Sequence, residues 1–231
     1  MALNVATDRL NVDHLVYCVP DRLEDAMDTF EALTGVKPVR GGRHLGLGTH
    51  NAIVSLGGQA YFEILARDPE QVDPPRTWMA IDAVTAPRLV TWAAARSDLP
   101  KLVATARSRG YDPGTAQNFS RTTADGRTLR WSLSYNHYAE PLPGAGIVPF
   151  IIEWDPSCSD FVPAKSAPAG CRLLSLRASH EDPASVLLSL RALGIESDGY
   201  LEAEPRVPAD GAPRARLIAT LLTPNGIVEI S

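Results

Sequence analysis

The sequence is poor in the features that mark several large classes of protein. Its 231 residues hold three cysteines, Cys18, Cys158 and Cys171. Three cysteines cannot all pair within one chain, and with no C-x-x-C spacing they suggest neither a disulfide framework nor a thiolate zinc site. Cys18, inside an apolar run, reads as a small core residue. No apolar run approaches the length that crosses a bilayer, and the opening MALNVATDRLNVDH lacks a basic region followed by an apolar stretch. A cytoplasmic location is therefore expected, with no membrane partner. The 22 Lys and Arg are scattered, and against 27 Asp and Glu they leave a net charge of -5. Such a chain has no basic footprint for nucleic acid. The glycine-rich run Gly41 to Gly48 is followed by His50-Asn51 and not by the Lys-Ser/Thr pair of a phosphate loop.

What is present is a core and a repeat. An apolar share of 45% with 21% charged residues is ordinary for a globular protein. From Val12 an apolar strand-like run meets Pro20-Asp21, and Leu23, Ala26, Met27 and Phe30 then fall on one helical face. Asp21 and Glu24 have capping-box spacing, and Gly35 is placed to end the helix. The same grammar recurs from Arg88, with Ser97-Asp98 before Leu99, Leu102, Val103 and Ala106, and Gly110 as the stop. It recurs from Arg172, with Asp182 as cap, Pro183 at the first helical position, and Val186, Leu187, Leu190 and Leu193 inward before Gly194. Short strands follow each helix, with Ala124 to Arg127 and Pro224-Asn225-Gly226 as turns. Each unit closes on an apolar strand carrying one glutamate: Glu63, Glu153 and Glu229. The stretches 67–87 and 154–170 read as linkers, and 205–213 as an exposed loop.

Two segments carry a family resemblance. Asp13-His14-Leu15-Val16, followed by Val19-Pro20-Asp21, resembles the first strand and helix of the vicinal-oxygen-chelate superfamily. Gly41-Gly42-Arg43-His44-Leu45-Gly46-Leu47-Gly48-Thr49-His50-Asn51 resembles the G-G-x-H-x-G-x-G-T-x-N run of its glyoxalase-like domains. The strands around Glu63 and Glu153 stand where those modules close. The resemblance implies an α+β fold of tandem βαβββ modules, forming an open, barrel-like mixed or antiparallel sheet with helices outside. The paired modules would occupy 8–155 (8–66 and 88–155), a linker 156–170, and a third similar C-terminal unit 171–231. It also implies a divalent metal ion held by residues from the first and last strands of each module. Carried over, these are His14, Glu63 and Glu153; the fourth position falls on Leu89 to Thr91, none of them a strong ligand. The third unit offers Leu173, Leu174 and Ser175 at the matching places.

Each candidate has a structural reading beside the functional one. His14 with two carboxylates suits a metal with open positions that polarises a carbonyl oxygen, with Glu63 or Glu153 moving a proton. The alternative is a pair of half-buried glutamates satisfied by neighbours, because an unpaired carboxylate among Ile, Phe and Trp is costly. His50 is a candidate catalytic auxiliary. His44 and Asn51 are candidate substrate contacts, although His50-Asn51 can equally satisfy backbone groups at a strand start. Trp131 and Phe150, with Trp78 and Trp154, suggest an aromatic pocket. Arg130 and Trp131 lie on opposite faces of one strand, so only one of them can line it. His137 and His180 read as structural or surface residues.

Two functions follow. One is a metal-assisted lyase, isomerase or ring-modifying enzyme acting on a small carbonyl or aromatic compound. The other is a non-catalytic protein that sequesters such a molecule. The third unit can shield the cavity, build a second one, or pair with another copy as a homodimer.

Overall fold

The computed structural model describes residues 10–72, 77–123, 125–135, 142–196, 201–202 and 215–231. His137, Ala124 of the expected turn and the loop 205–213 lie outside these described residues, as does most of the strand expected around residue 202. The first unit runs β1 (Val12–Cys18), α1 (Leu23–Thr34), β2 (Val39–His44), β3 (Thr49–Ser55) and β4 (Tyr61–Arg67). The second runs β5 (Arg88–Ala95), α2 (Leu99–Ser108), β6 (Ala116–Thr122), β7 (Thr128–Ser134) and β8 (Phe150–Trp154). All eight strands form one sheet in the order β2-β3-β4-β1-β5-β8-β7-β6. In each unit the first strand lies parallel to the last, and the units join through the antiparallel pair β1–β5, where His14 faces Ala93. Two βαβββ modules therefore pair as the sequence repeat implies.

Period-2 alternation sends β1 residues Leu15 and Tyr17 to one side of the sheet, and His14, Val16 and Cys18 to the other. The first side carries the main core: Leu15, Phe62 and Trp92 pack with Phe30 of α1 and Leu99 of α2. Gly35 ends α1 with φ of 77°, its N–H bonded to the Glu31 carbonyl, as its position predicts. The capping box does not form. Arg22 takes the N-cap with no side-chain cap, and Glu24 turns instead to the guanidinium groups of Arg40 and Arg22.

The C-terminal region contains β9 (Arg172–Ser179), α4 (Pro183–Ala192), β10 (Leu201–Glu202), β11 (Arg216–Thr223) and β12 (Gly226–Ile230). Asp182 caps α4 by accepting the Ser185 N–H. The element order matches the first two units, but the strand order is β10-β9-β11-β12. The two-residue β10 lies parallel to β9 on the edge where a closing strand lies in the other units. This smaller sheet covers the core side of the large one: Leu173, Leu176, Ala219 and Leu221 join Leu15 and Trp92. The stretch 156–170 is not a bare linker. It forms a turn at Pro156–Cys158 and a single-turn helix, α3 (Pro163–Ser166). Ser55 anchors it by donating from N to the Pro168 carbonyl and from Oγ to the Ala164 carbonyl.

Candidate functional site

The other side of the large sheet encloses a cavity of about 430 Å³. Its lining follows from strand alternation: His14 from β1, Tyr61 and Glu63 from β4, Asn51 and Ile53 from β3, His44 from β2. The second module adds Phe119 and Arg121 from β6, Leu129, Trp131 and Leu133 from β7, and Phe150, Ile152 and Trp154 from β8. Trp78 and Pro163 close it from the two connecting segments. Among the described residues, none beyond 170 lines it, so the C-terminal sheet neither shields this cavity nor divides it.

Polar groups gather at one wall. Glu63 is buried, with 5% of its surface exposed. Its Oε1 accepts a hydrogen bond from Asn51 Nδ2, and Asn51 Oδ1 in turn accepts the Gly42 N–H at 2.6 Å. Asp13 Oδ1 lies 2.7 Å from His14 Nδ1, and its Oδ2 accepts Trp154 Nε1–H at 2.7 Å. A carboxylate only accepts, so Nδ1 carries the proton and Nε2 is the ring nitrogen presented to the cavity. That nitrogen stands 3.8 Å from Glu63 Oε2, too far for the two to be committed to a mutual hydrogen bond. Tyr61 stacks on the His14 ring with centroids 4.6 Å apart, and Phe150 meets it edge-on. His44 completes the wall: Nδ1 lies 2.9 Å from Thr49 Oγ1, and Nε2 lies 3.9 Å from Glu63 Oε1. Burial pushes the His44 pKa down, favouring the neutral ring, and pushes the Tyr61 phenol well above its ordinary value.

The structure brings together His14, His44, Asn51, Glu63, Trp131 and Phe150. It does not bring Glu153 or His50 to them. Glu153 points to the opposite side of β8, where its carboxylate accepts the N–H groups of Asp98 and Leu99 at 2.7 and 3.0 Å. It caps α2, whose own N-cap residue makes no side-chain cap. His50 also lies on the reverse side of its strand, against a separate hollow bounded by Arg40, Arg43, Asp68 and the start of α1. Burial lowers its pKa too. Glu229 is exposed and ion-paired to Arg177, and His180 accepts the Asp182 N–H far from the cavity. Three glutamates at one pattern position thus have three different surroundings.

A divalent metal does not fit this donor set. The β1–β4 and β5–β8 registers equate His14 and Glu63 with Ala93 and Ile152, since His14 faces Tyr61 and Ala93 faces Phe150. The second module therefore presents carbon at both ligand positions. Among the described residues, no three His, Cys, Asp or Glu are arranged to hold a metal ion.

Arg121 escaped the sequence reading, as did the Asp13–Trp154 bridge. The signal for Arg121 was its place two residues after Phe119 in an alternating strand. Trp131, not Arg130, faces inward, as the period-2 rule requires of one of them.

Fold and site define a pair of βαβββ modules sharing one open, curled sheet, and among the described residues the histidines and the glutamate that line its cavity come from the first module. The glyoxalase-like domain model matches residues 12–194, and the chain belongs to that family. A hypothetical protein from Staphylococcus aureus superposes with a TM-score of 0.58 at 12% identity, covering 95% of this chain and 85% of that one. Methylmalonyl-CoA epimerase from Mycobacterium tuberculosis aligns with a TM-score of 0.42 at 20% identity, over 69% of this chain and 95% of its own. The Streptomyces coelicolor methylmalonyl-CoA epimerase Q60A variant, in complex with 2-nitronate-propionyl-CoA, gives 0.40 at 15% identity, over 62% and 96%. No curated protein matches the sequence. No described helix is long and apolar enough to cross a membrane.

Proposed function

We propose that this chain is a proton-transfer enzyme, an isomerase, acting on a small carbonyl compound with a planar apolar body. The observation that carries the proposal is Glu63. It is a buried carboxylate that opens onto an aromatic cavity, held by one side-chain hydrogen bond and paired across 3.8 Å with an oriented His14 Nε2. Burying such a group without full compensation is costly, and functional sites are where that cost is retained. A proton on the carbon beside a carbonyl would pass to one of this pair, leaving an enol or enolate. The pair would then return a proton to that carbon or to its conjugated neighbour, so the reaction is redox-neutral. Asp13 holds the imidazole in place, as the buried carboxylate of a catalytic triad does. Neutral His44 would lie near the developing oxyanion.

The cavity volume falls within the range of roughly 300–1,000 Å³ usual for small-molecule sites. Its aromatic walls also favour a second reading, a protein that sequesters a small aromatic molecule without chemistry. Deuterium uptake from D2O separates the two. Across a set of aryl and alkyl keto acids and 1,3-dicarbonyls followed by NMR, wild type should exchange carbon-bound hydrogen. E63Q should lower the rate by about 10²–10⁴-fold, the usual contribution of a general base, and a chelator should leave it unchanged. Binding without exchange for every compound would overturn the enzyme reading.

A further inference from the structure

We propose that Arg121 is the anchor for a carboxylate on the ligand, which makes the substrate class a planar, aromatic or unsaturated carboxylic acid. The inference rests on the cavity being the reacting site and names what that site selects. Arg121 is half-buried and lines the wall shared with Phe119, Trp131 and Leu129. It makes one hydrogen bond, Nη1 to the Gly41 carbonyl at 3.3 Å, and has no carboxylate within ion-pair distance among the described residues. Other arginines near the first module are occupied: Arg40 by Glu24, Arg43 by Asp68 and Glu70, Arg67 by Asp82.

A guanidinium has five N–H donors and always carries its charge. Holding one half-desolvated beside tryptophan and phenylalanine, with a single carbonyl as partner, is unfavourable unless an anion completes it. The geometry suits a carboxylate because the fork matches two oxygens. The body of the ligand is set by the walls, since Phe119 and Trp131 stack with centroids 6.0 Å apart and present flat apolar surface. Arg121 also ties the two sheet edges together, because Gly41 lies in β2 and Arg121 in β6. A purely structural clasp would need only that contact, so the two roles predict different behaviour toward charge.

The test is calorimetric titration of the full chain with matched acids and amides: benzoate and benzamide, phenylacetate and phenylacetamide, 2-naphthoate and 2-naphthamide. Wild type should bind at least one acid tighter than its amide by about tenfold or more, the effect of one charge-assisted contact. R121Q should bring acid and amide to parity while amide binding persists, which also reports that the variant is folded. R121K, a charge without the fork, should keep part of the preference. No acid preference in any pair, or a preference that survives R121Q, overturns the proposal. So does inorganic phosphate binding as tightly as the best acid, which would make this a general anion site. Loss of deuterium exchange in E63Q with no acid preference would remove only the carboxylate, whereas acid preference without exchange would remove only the chemistry.

Discussion

Asn51 fixes the polar wall by facing two ways, accepting the Gly42 N–H and donating to Glu63. Because the donor and acceptor ends of the amide are both used, its orientation is determined by its neighbours. A Cβ on Gly41 would lie 2.2 Å from Asn51 Oδ1, so this glycine is required by close approach and not by backbone freedom. Gly41→Ala should push Asn51 off Glu63. Misplacement of a reacting group by about 1 Å can cost on the order of 10²-fold in rate. The deuterium-exchange rate should fall accordingly, with the thermal midpoint little changed; an unchanged rate would show that Asn51 does not set the position of Glu63. His44, Asn51 and the two glycines were visible as one run in the sequence. Their convergence was not, because Gly41-Gly42 sits where the β2–β3 register shifts, and a glycine pair reads as readily as a turn.

At the scale of elements, the repeat of strand, helix and closing strand was legible, and so were α1, α2 and α4, whose stripes and stops are local signals. The orientation of the closing strands was not. Phe150–Trp154 is apolar on both faces, so it lacks the alternation that tells inside from outside, and Glu153 could be placed only by position in the pattern. In the fold Phe150, Ile152 and Trp154 take the cavity side, which sends Glu153 to the start of α2. Glu153→Ala should therefore act as loss of a helix cap, costing about 1 kcal/mol in denaturant unfolding. Affinity for cavity ligands should stay at the wild-type level. A large loss of affinity with stability intact would return Glu153 to the site. The C-terminal strands were likewise legible as strands, but not the pairing of β9 with β11, since pairing order depends on which sheet edge is already filled.

For the molecule as a whole, acidity should act through two histidines. Burial lowers the pKa of both His44 and His50 in the folded chain. In the unfolded chain they titrate near the ordinary value of about 6.5. The unfolded state therefore binds more protons in this window, so stability is fully present above about pH 7 and declines as pH falls through 6.5 toward the lowered values. Urea midpoints between pH 7.5 and 5.5 should fall, and the decline should lessen in H50Q. Asp68 does not enter this window. Burial alone would raise its pKa, but the hydrogen bonds from Arg43 and Gln71 outweigh that and lower it, so its contribution is lost only below the ordinary carboxylate range of about 3.9. Both candidate proton carriers, His14 and Glu63, come from one module, while the other contributes Ile152, aromatic surface and the Arg121 guanidinium. On the proposed reading, a flat intermediate lying between the two modules is approached by hydrogen from one side only. Removal and return would then be suprafacial, and a new stereocentre would form with a single handedness, where a racemising catalyst would need donors on both walls.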